Sequence, residues 1–212
     1  MKPQRLSHAR RKELTRERLY VAARTMFLEK GFAATSVEDI CETAGYSRGA
    51  FYSNFTSKQD LLTELLRRDA DEAQANLRAI LEDGTTPEQA TARAIAHFAR
   101  SYRDLECFPL WVEAYLLARR DSAFQERLHA LRRAKLLQVS AYIRTHLKES
   151  DNALPLHADA LALGLVSLCD GMQLFSLGYP QSAADQLIQT VLEEFASSVL
   201  YRPPMEKSTA DA

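Results

Sequence analysis

Residues 35–55, TSVEDICETAGYSRGAFYSNF, gather the side chains of this chain best suited to reading a polyanion. Gly45-Tyr46-Ser47 parts two short stretches that each open on a helix start signal. That is the spacing of a helix-turn-helix, in which the first helix crosses a phosphate backbone and the second lies in the major groove of DNA. Ser47, Gly49 and Ala50 are small enough to let the second stretch approach base edges, and Arg48 offers a guanidinium for guanine O6/N7 or for a phosphate. Ser47 serves equally as a helix cap, Ala50 as a methyl contact to thymine, and Asn54 is a further groove-facing position. Thr35 and Ser36 are caps first and phosphate donors second. Lys58 stands at the amino end of the next helix, where its charge opposes the dipole, and a nearby phosphate would offset that cost. Arg10, Arg11 and Lys12 extend into the minor groove or add to the positive field.

These groups need rigid elements behind them, and the apolar periodicity is helical nearly everywhere. Leu19, Ala22, Ala23, Met26 and Phe27 form one buried stripe on a first helix over 11–30, stopped by Gly31. Thr35 with Glu38 reads as a capping box for a second helix ending at Ala44-Gly45. Ser47 caps a third from about Arg48 to Phe55, and Ser57 with Asp60 caps a fourth to about Glu82. Ile40 and Ala44 pack the pair on the first helix, while Phe51 and Phe55 anchor the third in the core. After the Asp83-Gly84 turn, Thr86, Pro87 and Gln89 open a fifth helix to about Asp104. Three more follow: Pro109 to about Arg119, Asp121 to about Glu149, and, past a loop over 150–155, His157 to Leu177. Gly178-Tyr179-Pro180 precedes a last helix from about Ala183 to Leu200. The expectation is an all-α chain of nine helices: a basic arm over 1–12, a helix-turn-helix head over 13–57, a larger helical domain over 58–201 and a disordered tail over 202–212.

Composition narrows the function classes. The chain has 212 residues, 46% hydrophobic and 26% charged, with seven glycines and seven prolines, which favours helices over a turn-rich sheet. The net charge of −1 conceals a polarity, since the first thirty residues carry nine Lys/Arg against three Asp/Glu. The basic end suits a polyanion and the acidic remainder repels one. Cys41, Cys107 and Cys169 are too few and too scattered for a disulfide framework or a zinc site, which fits a reducing cytoplasm. The charge-free run from Ala160 to Cys169 is about half a bilayer span, so no membrane helix is expected, and the charged amino terminus lacks the apolar stretch of a secretory signal. Neither a catalytic signature nor a phosphate-cradling glycine loop is present, so no enzyme, metal or cofactor is expected.

Two further groups of residues concern partners. Phe98 with Tyr102, Trp111 with Tyr115, and Met172 with Phe175 are pairs at helical spacing, which either fill an ordinary core or line a cavity for a small ligand. Ala160 to Leu177 is apolar on nearly every face, and the final helix adds Leu187, Ile188, Val191, Leu192, Phe195 and Val199. A surface helix needs one apolar stripe, so the excess points to burial against a second subunit.

From Thr15 to about Leu66 the chain resembles the TetR family of bacterial transcription regulators. The residues that carry the likeness are Lys30-Gly31-Phe32, Thr35 to Ile40, Ala44-Gly45, Ser47-Arg48-Gly49, Phe51-Tyr52, Phe55 and Ser57-Lys58. It departs at Cys41, where alanine is common, and at Asn54, where histidine is frequent. Beyond residue 66 the similarity is architectural, with a fainter likeness to the betaine-repressor type that carries no ligand over. The resemblance implies a cytoplasmic homodimer joined through its last two helices, double-stranded operator DNA as partner, an effector of unknown identity in the C-terminal domain, and a phosphate contact for the Tyr52 hydroxyl. The alternative is a non-specific DNA-associated or protein-interaction helical module.

Overall fold

The computed structural model describes residues 8–81, 86, 89, 92–93, 107–146, 157–178 and 181–200. Among these every regular element is a helix: α1 (His8–Lys30), α2 (Val37–Ala44), α3 (Arg48–Tyr52), α4 (Lys58–Leu81), α5 (Phe108–Ala118), α6 (Ser122–His146), α7 (Ala158–Leu177) and α8 (Gln181–Leu200). The chain is all-α, as its periodicity requires. Of the helix expected between Pro87 and Asp104, only the start is described. There the Thr86 amide donates to Gln89 Oε1 and the Gln89 amide to Thr86 Oγ1, each at 3.3 Å, a reciprocal cap. The Asp83-Gly84 turn, the 150–155 loop, residues 1–7 and the 202–212 tail lie outside the described residues. Arg10, Arg11 and Lys12 belong to the first turns of α1 rather than to an arm.

Two compact units divide the chain, one of residues 1–72 and 106–131, the other of residues 73–105 and 132–212. The first therefore takes in the start of α4 and all of α5, beyond the 13–57 head marked out in the sequence. Its core joins Leu19, Ala23 and Phe27 of α1, Ile40 of α2, Phe51, Phe55, and Leu61, Leu62 and Leu66 of α4 to Leu110 and Ala114 of α5. Each of these is at most 2% exposed. In the second unit Ile143, Leu161 and Ala162 are buried with Val139, Leu165 and Phe195 packed against them, and Ile188 and Leu192 mark the buried stripe of α8.

Local chemistry sets the boundaries of the head. Gly31 ends α1 at φ +83° with its amide on Phe27 O, and Gly45 ends α2 at φ +72°, a left-handed conformation that glycine adopts without Cβ strain. The cap of α2 falls one residue later than expected: Ser36, not Thr35, is the N-cap, and its box partner is Asp39, not Glu38. Thr35 cannot cap because its hydroxyl, 1% exposed, donates to Gly31 O at 2.8 Å and to Met26 O at 3.2 Å. Ser57 caps α4 as expected, accepting the Asp60 amide at 3.0 Å.

α7 is long and apolar enough to cross a membrane, with a mean hydropathy of 1.6, so the charge-free run understated it. Its carboxylates are nonetheless paired within the second unit, Asp170 with Arg132 and Lys135, and Asp159 with Arg144 and Ser140. An ion pair at mid-helix is costly in hydrocarbon and ordinary in a folded helical unit.

Candidate nucleic-acid interface

The turn and α3 present one exposed polar face on a rigid base. Ser47 enters α3 in extended conformation (φ −79°, ψ 159°) and its hydroxyl accepts the Ala50 amide at 3.2 Å. Phe51 points inward at 0% exposure, its ring 5.8 Å from that of Phe55. Tyr52 stands the opposite way, 50% exposed, edge-on to Phe51 at 5.2 Å. α3 closes at Tyr52, three residues short of the expected Phe55, although the Phe55 amide still reaches Phe51 O at 2.9 Å.

Arg48 is the exposed cation of this face. Its guanidinium pairs with Glu38 Oε1 at 2.7 Å and lies 6.0 Å from the Tyr52 ring centre. A hydrogen bond with Tyr52 and the charge of Glu38 raise its pKa above the usual arginine value, so it stays cationic. Gly49 is exposed, and a Cβ there would meet only Ser47 Oγ, at 3.7 Å, so the surface over it is open. Ala50 is half-buried. Ser47, Arg48, Gly49 and Tyr52 thus share one solvent-facing surface.

The remaining expected contacts are otherwise engaged. Asn54 lies past the end of α3, and its Nδ2 donates to Ala50 O at 2.8 Å and Ser53 Oγ at 3.2 Å. Ser36 Oγ is held by Asp39, both accepting its amide at 3.0 Å and donating to Oδ2 at 2.8 Å, and the Asp39 carboxyl is lowered by hydrogen bonds from the Ser36 backbone and side chain. The Thr35 hydroxyl faces inward. Lys58 Nζ donates to Phe32 O at 2.6 Å and Thr35 O at 2.5 Å and sits 4.3 Å from the Phe32 ring centre. Two internal carbonyls thus meet its charge at the helix start. Burial lowers its pKa, against which the charges of Glu113 and Asp39 act.

Several supporting residues escaped the sequence reading. Arg16 of α1 donates to Asn54 O at 3.0 Å, lies over the Phe55 ring at 4.5 Å and pairs with Glu64 at 3.6 Å. Arg68 stacks 4.0 Å from the Tyr20 ring centre and bonds Glu17 at 2.6 Å and Glu64 at 3.0 Å. Burial would raise the Glu64 carboxyl, but hydrogen bonds from Arg67 and Arg68 and the charges of Arg67 and Arg16 hold it at about 2. Glu113 of α5 accepts the Phe32 amide at 2.5 Å. Arg67 and Arg68 meet Glu64 within α4, whereas Arg16 with Asn54, Arg68 with Glu17 and Glu113 with Phe32 join segments far apart in sequence.

Of the residues proposed for a ligand cavity, Phe98 and Tyr102 lie outside the described residues. Trp111 is half-buried on the core of the first unit, with Nε1 donating to Asp69 Oδ2 at 2.7 Å, while Tyr115 is 39% exposed. In the second unit Met172 is buried and Phe175 exposed. Each of the two described pairs thus shares a helix but not a common degree of burial. Among the described residues no group of three His, Cys, Asp or Glu side chains is placed to hold a metal ion.

A short helix with an exposed Arg-Gly-Tyr face, set behind a capped helix and a left-handed glycine turn, defines a helix-turn-helix DNA-binding head. Residues 19–65 match the family model of the bacterial regulatory proteins, tetR family. It is 37% identical over 84 residues to the HTH-type transcriptional repressor KstR2 of Mycolicibacterium smegmatis, covering 39% of this chain and 41% of that relative. It is 37% identical over 68 residues to the HTH-type transcriptional regulator UidR of Escherichia coli, covering 32% of this chain and 35% of the relative. The alignments thus span well under half of either relative. Over the whole chain the fold is similar to that of Salmonella enterica GusR, with a TM-score of 0.75 at 21% identity, covering 94% of this chain and 100% of that one.

Proposed function

We propose that the chain is a sequence-specific DNA-binding repressor that works as a homodimer on a palindromic operator in a reducing cytoplasm. The observation that carries this reading is the Ser47–Arg48–Gly49–Tyr52 face, exposed and cationic on a fully buried Phe51 anchor. Arg48 reads a base edge or holds a phosphate, Tyr52 donates its hydroxyl to the backbone, and Gly49 admits the groove wall. A facing DNA phosphate competes with Glu38 for Arg48, and breaking that exposed pair costs little. Two heads spaced about one helical turn apart, ~34 Å, enter successive major grooves.

The dimer reading rests on the apolar surface of α7 and α8, where Leu163, Leu174, Leu177 and Leu187 are each about half exposed. A small molecule bound in the C-terminal domain would release the operator by favouring a different placement of the heads, with α4, unbroken from Lys58 to Leu81, as the connecting element. Catalysis has no part in this scheme.

Selection of bound sequences from a random DNA pool tests the reading, followed by titration of the recovered site. Arg48→Ala is expected to cost that site roughly 10-fold or more in affinity; loss of a base contact leaves random DNA bound nearly as before, whereas loss of a phosphate contact weakens both alike. Equal binding to all sequences, with salt as the sole determinant, would establish the non-specific module instead.

A further inference from the structure

The six-residue connector from Gly31 to Ser36 decides where α2 begins, and it is gripped from two sides by residues that are not part of it. The two polar backbone groups of Phe32 are both taken: its amide by Glu113 Oε2 of α5 at 2.5 Å, its carbonyl by Lys58 Nζ of α4 at 2.6 Å. Lys58 also takes the carbonyl of Thr35, at 2.5 Å, directly before the Ser36 cap. Gly31 makes room for this grip, since a Cβ there would meet Glu113 Oε1 at 3.1 Å. The ammonium has three protons. Two are spent on carbonyls, and the charge lies against the Phe32 ring at 4.3 Å. The third proton stays available to an outside acceptor such as a phosphate, so holding the connector and meeting DNA are compatible for this cation.

Resting on the DNA-binding reading above, we infer that Glu113 and Lys58 are positioning residues, a carboxylate and an ammonium that together clamp the backbone N–H and C=O of Phe32 and so fix α2 and α3 for the groove. Glu113 stands 81 residues from the amide it holds, on a helix outside the helix-turn-helix. It gives α5 a direct hold on the DNA-reading element.

Salt dependence separates this role from a phosphate contact, because each phosphate neutralised adds about 0.9 to the slope of log K against log salt. Wild type, Glu113→Ala, Lys58→Met and the double variant are titrated with the selected operator between about 50 and 200 mM salt. Affinities refer to the active fraction found by stoichiometric titration, so that partial unfolding does not pass for weak binding. Glu113→Ala is expected to weaken binding about 10-fold with the wild-type slope, and Lys58→Met at least as much. The double variant should bind about as the weaker single one, since both act on one residue of the connector. Glu113→Gln keeps an oxygen for the Phe32 amide and is expected to retain most of the affinity; it carries the test should Glu113→Ala not fold.

A slope lowered by about one in Glu113→Ala, losses that multiply in the double variant, or wild-type affinity in Glu113→Ala would each overturn the clamp. If wild type shows no sequence preference, the proposed function fails instead. Hydrogen exchange at the Phe32 amide then decides the clamp alone, being faster in both single variants if the clamp exists and unchanged if it does not.

Discussion

Phe51 in the first unit is 0% exposed and Phe55 2%, whereas Phe175 in the second is 44% exposed and Leu163, Leu174 and Leu187 each exceed 50%. The first unit closes its core within one chain, and its polar backbone ends are met by Ser36, Ser47, Ser57 and two glycines. In the second, α7 and α8 bury one stripe each and leave another uncovered among the described residues. The first unit also exposes large apolar side chains, Leu14, Val21 and Leu116, but the second gathers Leu163, Leu174, Phe175, Leu177, Leu187 and Val191 on two helices, a surface that a second copy would cover.

The sharpest way to break this contrast is to damage each unit at an apolar position. Phe51→Ala removes a fully buried ring against which Phe55 and Tyr52 pack, and it is expected to cost roughly 3–5 kcal/mol in denaturant unfolding and to abolish operator binding. Leu174→Asp should do the opposite. The chain keeps its helical signal, while the dimer loses roughly 2–3 kcal/mol because a carboxylate would be buried without a partner. Sedimentation at micromolar concentration would then show monomer. If Leu174→Asp and Leu187→Asp both leave a wild-type dimer, these faces are not the subunit contact and the contrast between the units has another cause.

What could be read in the sequence was what a few neighbouring residues decide. Gly31 and Gly45 stop their helices at positive φ, and Ser47 and Ser57 cap theirs, because the competing choices are local. The cap of α2 slipped by one residue for the same reason: Thr35-Ser36 and Glu38-Asp39 form two overlapping boxes, and what excludes Thr35 is a pair of carbonyls, Gly31 and Met26, contributed by the end of α1. The motif points to Ser47, Arg48, Gly49 and Tyr52, which are exposed, and equally to Ala50 and Asn54, of which the first is half-buried and the second is bonded to the Ala50 carbonyl. The partners of Lys58 were not legible, since they are backbone carbonyls that no residue type announces. Glu113 with Phe32, Trp111 with Asp69 and Arg16 with Asn54 are joined only by tertiary folding, across separations of 81, 42 and 38 residues.

The smallest predicted effect concerns how α1, α3 and α4 are locked within the first unit, and it is read by pH. Glu64 collects Arg67, Arg68 and Arg16, and Arg16 in turn holds the Asn54 carbonyl just past α3. Its folded pKa of about 2 lies below the ordinary 4.5, so the folded state prefers the ionised form. The stabilisation is fully present above pH 4.5 and is lost as pH falls toward 2, where the native carboxylate at last takes up a proton. Arg67 is 47% exposed, and solvent screens its share, which leaves a contribution on the order of 1–2 kcal/mol. Glu64→Gln keeps the shape and removes the titration. Its unfolding midpoint is expected to be lower than wild type at pH 7 and to converge with it near pH 2, in parallel urea titrations. A constant gap between the two proteins across that range would mean that the carboxylate braces the helices by packing and not by charge, and would move the rigidity of the head back onto the buried Phe51 and Phe55 rings.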